Sequence, residues 1–203
     1  MKCCYLWIYH IEFKIENQLL DHIISEKKTI FRWFMLSGPL HAGKTSFLKH
    51  LVLRLQEQGM CMNGVLSLAQ FQGGERTGYD AMDLQSGSTF PLLRCRSEAE
   101  WLKVGSYGVH PEGLKKAEQA IQQIQDSDLT IIDEIGPLEL AGSGFWPSFC
   151  KLRQKNQPTL IVVREPLVLQ LEASCSKPDI HFKLQTDGLE TEMVKRLTEL
   201  KTP

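Results

Sequence analysis

At 203 residues, 42% hydrophobic and 23% charged, the chain has the make-up of an ordinary globular domain able to bury a full core without metal or disulfide staples. Its 23 basic and 24 acidic side chains leave a formal net charge of −1, which gives no global field for nucleic acid and no acidic tail for a basic partner. Cys3, Cys4, Cys61, Cys95, Cys150 and Cys175 form no C-x-x-C pair and no zinc spacing with a histidine, so reduced thiols, several of them buried, are expected.

Residues 1–28 read as an N-terminal extension ahead of a domain spanning 29–203. Tyr5 to Ile15 is rich in β-formers, and Glu16 to Lys28 carries Leu19, Leu20, Ile23 and Ile24 at helical spacing. Either a strand and a short helix form here, or a leader docks its apolar residues on the domain or on a protein partner. The apolar run Cys3 to Ile11 is too short to cross a bilayer, and no small-residue cleavage site follows it. A cytoplasmic protein with no membrane contact is expected.

Ile30 to Ser37 is nearly continuous apolar sequence, the signature of a central strand covered on both faces. The stretch Gly38-Pro39-Leu40-His41-Ala42-Gly43-Lys44-Thr45 follows directly and reads G-x-x-x-x-G-K-[ST]. Between a strand and a helix, this pattern converges backbone N–H groups on phosphate oxygens. Lys44 adds a point charge for the terminal phosphates, and Thr45 offers a hydroxyl to Mg²⁺. Residues Gly38 to Ser46 are therefore the candidate triphosphate-binding segment. In the helix beyond, Phe47, Leu48, Leu51, Val52 and Leu55 share one stripe, and Gly59 supplies a stop.

Val65 to Phe71 reads as a second strand. Gly73-Gly74-Glu75-Arg76-Thr77-Gly78 breaks the chain, and Tyr79–Leu84 and Phe90–Leu93 flank a turn, predicting an inserted β-hairpin. Arg76 is a candidate for phosphate or base-side contact, or a solvated turn arginine. Leu102 to Val109 is short and broken by Gly105 and Gly108. Pro111 then opens a helix with Leu114, Ala117, Ile121 and Ile124 on one stripe, ending near Asp126.

Leu129-Thr130-Ile131-Ile132-Asp133-Glu134 is a β-branched apolar run ending in two carboxylates. On a parallel strand neighbouring the phosphate loop, Asp133 reaches the rim where ligands bind in open α/β sheets and supports Mg²⁺ there. Alternation points Glu134 to the other side of its strand, toward an attacking water. Gly144 to Gln154 predicts a helix with Phe145, Phe149 and Trp146 in the core. Thr159 to Val163 is a third buried strand, and Arg164 at its end either meets γ-phosphate charge or pairs with Glu165. Pro166 to Leu171 reads as a short helix, and Ile180, Phe182 and Leu184 alternate as an edge strand. Leu189 to Leu200 forms a closing amphipathic helix capped by Asp187 with Glu190. The six histidines are not spaced for a metal or a catalytic triad.

In these ordered motifs the chain resembles the small P-loop nucleoside-triphosphatase family called THEP1. The match rests on Gly38–Thr45, Gly73–Gly78 with the hairpin after it, Val104-Gly105-Ser106-Tyr107-Gly108-Val109, and Asp133-Glu134-Ile135-Gly136-Pro137-Leu138-Glu139. It covers roughly residues 30 to 200. The resemblance implies slow, Mg²⁺-dependent hydrolysis of nucleoside triphosphate with broad tolerance for the base. By position, Lys44 and Thr45 bind phosphate and metal, Asp133 supports Mg²⁺ and Glu134 activates water. Two departures stand out: the bulky Leu40-His41 loop interior, and Ser106 where the family pattern often has lysine.

The expected fold is a three-layer α/β P-loop NTPase domain with a mostly parallel sheet and an inserted β-hairpin. The expected function is NTP hydrolysis with Glu134, Lys44 and Arg164 as catalytic residues. A nucleotide or small-metabolite kinase on the same scaffold and a nucleotide-dependent switch are the rival readings. The absence of a long arginine-bearing lid in the sequence weighs against the kinase.

Overall fold

The apolar run before the glycine-rich loop becomes strand β1 (Trp33–Gly38), every residue of which is buried. The computed structural model describes residues 31–96 and 98–201. The strand and helix expected within residues 1–28, and with them Cys3 and Cys4, lie outside the described residues. After β1 the chain forms helix α1 (Lys44–Glu57), strands β2 (Met62–Gln72), β3 (Glu75–Asp83), β4 (Thr89–Arg94), β5 (Lys103–Val104) and β6 (Tyr107–Val109), and helix α2 (Pro111–Gln122). It continues through β7 (Leu129–Ile135), the single turn α3 (Pro137–Leu140), α4 (Trp146–Gln154), β8 (Thr159–Arg164), α5 (Val168–Cys175), β9 (Ile180–Lys183) and α6 (Leu189–Thr198).

Among the described residues all nine strands join one sheet in the order β5-β6-β4-β3-β2-β7-β8-β1-β9. The segment β2-β7-β8-β1-β9 is parallel. From β2 outward the sheet continues as an antiparallel meander through β3, β4, β6 and β5. The expected hairpin is thus present, but it extends the main sheet rather than standing apart from it. Gln72 pairs with Glu75, so Gly73–Gly74 is a two-residue hairpin turn, with φ of 60° and 88°.

Alternation along β1 explains the three layers. Phe34 and Leu36 face one core, built with Leu48, Leu51 and Leu55 of α1 and Met193 and Leu197 of α6. Trp33 and Met35 face the other, built with Ala117 and Ile121 of α2, Phe149 and Leu152 of α4, and Leu171 of α5. A strand sandwiched this way carries apolar residues at every position, which is why its sequence shows no period of two.

Several local expectations are corrected. β7 is not next to β1: β8 lies between them, so Arg164 ends the strand that separates the phosphate loop from the carboxylates. Helix α6 is not capped by Asp187; Gly188, in the left-handed region at φ 70°, takes the cap position without a side-chain bond. Helix α2 stops at Gln122, earlier than the apolar stripe suggested. Of the four described cysteines only Cys175 is buried, since Cys61 and Cys95 are exposed and Cys150 is intermediate. The predicted stops and starts elsewhere hold: Met60 N–H donates to the Leu55 carbonyl at 3.0 Å beyond Gly59, and Pro111 opens α2. His110 caps that helix by accepting from Gly113 N–H at 3.1 Å.

Candidate active site

The parallel strands deliver their carboxyl ends to one rim, and the phosphate-loop sequence lies across it. Gly43 sits at φ 84°, ψ 20° and hands the chain into α1, a conformation that suits a residue without Cβ. The first turn of α1 has no side-chain cap and no acidic residue, so its amide donors remain available to an anion. His41 also adopts a positive φ, 62°, in the loop interior. Both Leu40 and His41 are exposed, and both line the cleft beside the loop.

Lys44 is 6% exposed and donates to the carbonyls of Pro39 at 2.8 Å and Gly38 at 3.3 Å. Its Nζ lies 3.7 Å from Glu134 Oε2. Thr45, one residue on, donates its hydroxyl to Asp133 Oδ2 at 2.8 Å. Asp133 is buried and accepts a second bond at the same oxygen from Ser67 N–H at 3.1 Å; Ser67 Oγ donates to the Asp133 carbonyl. That donor is available because the β2–β7 ladder runs only to Val65↔Ile132, leaving the later β2 amides on the β7 side to find other acceptors.

Burial pushes the Asp133 carboxyl up to about 6, against the pull of the Ser67 and Thr45 hydrogen bonds; the neighbouring Glu134 charge adds to the rise. The β7–β8 register slips by one residue between Ile132 and Ile135, so both of those side chains enter the same core. Within that irregularity the two carboxylates diverge but share one cleft: Asp133 turns to Thr45 and Ser67, Glu134 to Lys44 and Arg164. Arg164 Nε donates to Glu134 Oε1 at 2.5 Å. Of the two readings left open for Arg164, pairing with Glu165 is replaced by pairing with Glu134.

The cleft encloses about 720 Å³. One wall is the segment Leu40–Ser46, the floor is Asp133, Glu134 and Arg164, and the facing wall is the meander, with Arg76, Tyr79 and Tyr107. Gly38 and Pro39 meet the site through their carbonyls on Lys44. Arg76 Nη1 lies 3.1 Å from His41 Nδ1, so the hairpin touches the phosphate loop directly. Ser106 lines the same cleft from the turn between β5 and β6.

Two residues of the site carried no assigned role in the sequence. Ser67 gave no signal, since a serine inside a strand is ordinary. Glu139 was visible within the Asp133–Glu139 motif. It is buried, accepts from Gly136 N–H at 2.9 Å and Phe145 N–H at 3.3 Å, and its carboxyl is pushed upward by burial. It ties together the segment after β7 that closes the floor of the cleft.

Fold and site together define a P-loop α/β protein whose loop, lysine and paired carboxylates meet at one sheet edge. The family model described as NTPase matches residues 33–183. The nucleoside-triphosphatase THEP1 of Methanopyrus kandleri is 30% identical over 151 residues, spanning 72% of this chain and 82% of that protein. The THEP1 of Methanosarcina barkeri is 27% identical over 165 residues, spanning 78% of this chain and 93% of its own. The chain belongs to the NTPase family, and by that membership it is a nucleoside-triphosphatase enzyme.

Two solved structures share the fold. The solution structure of a human cancer-related nucleoside triphosphatase aligns with a TM-score of 0.65 at 23% identity, covering 84% of this chain and 97% of that one. The crystal structure of THEP1 from Aquifex aeolicus aligns with a TM-score of 0.59 at 22% identity, covering 81% and 98%. Among the described residues no helix is long and apolar enough to cross a membrane.

Proposed function

We propose that the cleft hydrolyses the terminal anhydride of nucleoside triphosphates, ATP, GTP or others, to diphosphate and phosphate in a Mg²⁺-dependent reaction. The observation that carries this reading is the meeting of two carboxylates with the phosphate loop: Asp133 on Thr45 at 2.8 Å and Glu134 beside Lys44 at 3.7 Å. The residues present fit magnesium. Asp133 and Thr45 offer hard oxygen ligands, and a buried carboxyl resisting ionisation beside a second carboxylate favours a cation. Among the described residues no group of three or more His, Cys, Asp or Glu forms a metal cage, so phosphate oxygens and water would supply the remaining ligands. When bound, the ion neutralises charge on the β and γ phosphates.

The chain's own residues perform the rest. The loop amides and Lys44 hold the triphosphate tail, and Arg164 and Lys44 orient the Glu134 carboxylate from two sides. Glu134 positions the attacking water and accepts its proton as the new O–P bond forms. The bond from γ-phosphorus to the bridging oxygen breaks, and its electron pair leaves with the diphosphate. Because phosphoryl transfer is loose, positioning and charge stabilisation supply most of the rate. The four described cysteines are free thiols, which fits a cytoplasmic location.

The test is phosphate release from ATP, GTP, CTP and UTP with Mg²⁺, measured for the wild type, Lys44→Ala and Glu134→Gln. Glu134→Gln is expected to keep nucleotide affinity and to lose at least ~10²-fold in kcat, the scale of a general-base contribution. Hydrolysis that survives Lys44→Ala would refute the phosphate-loop mechanism.

A further inference from the structure

The cleft holds one guanidinium whose charge no carboxylate answers. Lys44 and Arg164 are both paired with Glu134, and Arg94, further out on the meander, is paired with Asp80. Arg76 forms no ion pair among the described residues. Its Nη1 bonds His41 Nδ1 at 3.1 Å and the Tyr79 hydroxyl at 3.0 Å. Its Nε is buried and has no hydrogen-bond partner among the described residues. The rings of Phe71 and Tyr79 lie 5.3 and 5.4 Å from the guanidinium carbon and hold it in place by cation–π attraction.

A permanent cation kept partly buried, with a donor unsatisfied, is costly unless an anion completes it. The anion for which this cleft is built is the triphosphate tail. Arg76 stands at its margin because His41 is itself a loop residue. Arg164 already spends its Nε on Glu134.

We propose that Arg76 is a catalytic residue, delivered from the β2–β3 hairpin onto the γ-phosphate, with His41 as the residue that positions it. This rests on the hydrolytic reading above. Water forms its bond to γ-phosphorus, the water's proton passes to Glu134, and the bridging P–O bond breaks, its electron pair leaving with the diphosphate. The guanidinium fork meets the negative charge that grows on the γ and bridging oxygens. The arrangement is an arginine supplied in cis rather than by a partner. It also gives the bulky loop histidine a purpose, since a small residue there would leave Arg76 without its bridge to the loop.

The experiment compares wild type, Arg76→Ala and Arg76→Lys in three measurements. These are steady-state hydrolysis of ATP with Mg²⁺, affinity for a non-hydrolysable ATP analogue, and capture of ADP with aluminium fluoride, which mimics the transferring phosphoryl group. Arg76→Ala is expected to lose about 10³-fold in kcat, the low end for an arginine of this kind. Its analogue affinity should stay within about threefold, the split that marks an interaction made only in the transition state. It should fail to capture ADP with aluminium fluoride while its thermal melt stays cooperative. Arg76→Lys keeps a point charge without the fork and should fall between the two, at least ~10-fold below wild type; it carries the test if the alanine variant does not fold.

An unchanged kcat, retained capture of ADP with aluminium fluoride, or analogue affinity falling in step with rate would each overturn the assignment. A wild type that releases phosphate and is silenced by Lys44→Ala, beside an untouched Arg76→Ala, sinks this proposal alone. A wild type that binds ATP without hydrolysing it sinks the parent reading as well.

Discussion

Asp133→Asn should make the protein more stable while disabling it. The carboxyl is 2% exposed, and its pKa stands at about 6 in place of 3.8. A carboxyl raised in the fold contributes stability that is fully present below its unfolded pKa and lost as pH rises through the folded one. The window is therefore pH 3.8 to about 6, and the loss is complete near pH 8. At 1.36 kcal/mol per decade of proton affinity, ionisation of Asp133 costs the native state about 3 kcal/mol.

Asparagine removes that cost and keeps both contacts. Thr45 and Ser67 donate to the same oxygen, Oδ2, which the amide carbonyl can replace. Urea unfolding of both proteins from pH 4 to pH 8, with EDTA present, reads the difference directly. The advantage of Asp133→Asn should be small at pH 4 and grow to about 2–3 kcal/mol by pH 8, with the denaturant slope unchanged. Mg²⁺-supported hydrolysis should fall sharply in the same variant, the usual exchange of function for stability at an active site. A stability difference that does not move with pH would show that Asp133 is not forced to ionise against its burial, and the reasoning would fail.

Gly144→Ala should damage both fold and activity. Gly144 sits at φ +55°, and a Cβ there would lie 2.1 Å from Glu139 Oε1, inside the bonds that tie Gly136 to Phe145. A loss of about 2 kcal/mol or more is expected, seen as a melting temperature lower by about 4–8 °C together with a reduced kcat. Asn63→Ala tests the scaffold away from the cleft. Asn63 is fully buried, donates to the carbonyls of Ala120 and Ile121 at 3.1 and 2.8 Å, and accepts from Ser127 and Thr130 at 2.8 and 2.6 Å. Alanine leaves those four groups without their partner, so the urea midpoint should fall by the equivalent of about 3 kcal/mol. A shift below about 0.5 kcal/mol would mean that water or rearrangement replaces the bonds.

Elements written in local chemistry were legible in the chain. Lys44 and Thr45 sit on the first turn of a helix because Gly43 permits the left-handed entry and the preceding run is a fully covered strand. Pro111, Gly59 and the Gly73–Gly74 turn likewise mark boundaries through backbone geometry that neighbouring residues impose. Cap choice at α6 was not legible, because Asp187 and Gly188 both suit a helix start and the chain's approach decides between them. Strand order was hidden as well: nothing local to Thr159–Arg164 says that this strand inserts between β1 and β7.

The sequence by itself determined that a phosphate-binding loop and an acidic strand end belong to one α/β domain, since each motif is a short run whose residues act on their own backbone. Only the tertiary structure decided which charges answer one another. It set Arg164 on Glu134, Ser67 under Asp133, and Arg76 against His41 across 35 residues of chain. Those pairings depend on strand order and on a one-residue slip in β7, and such long-range geometry has no local signature for a sequence to carry.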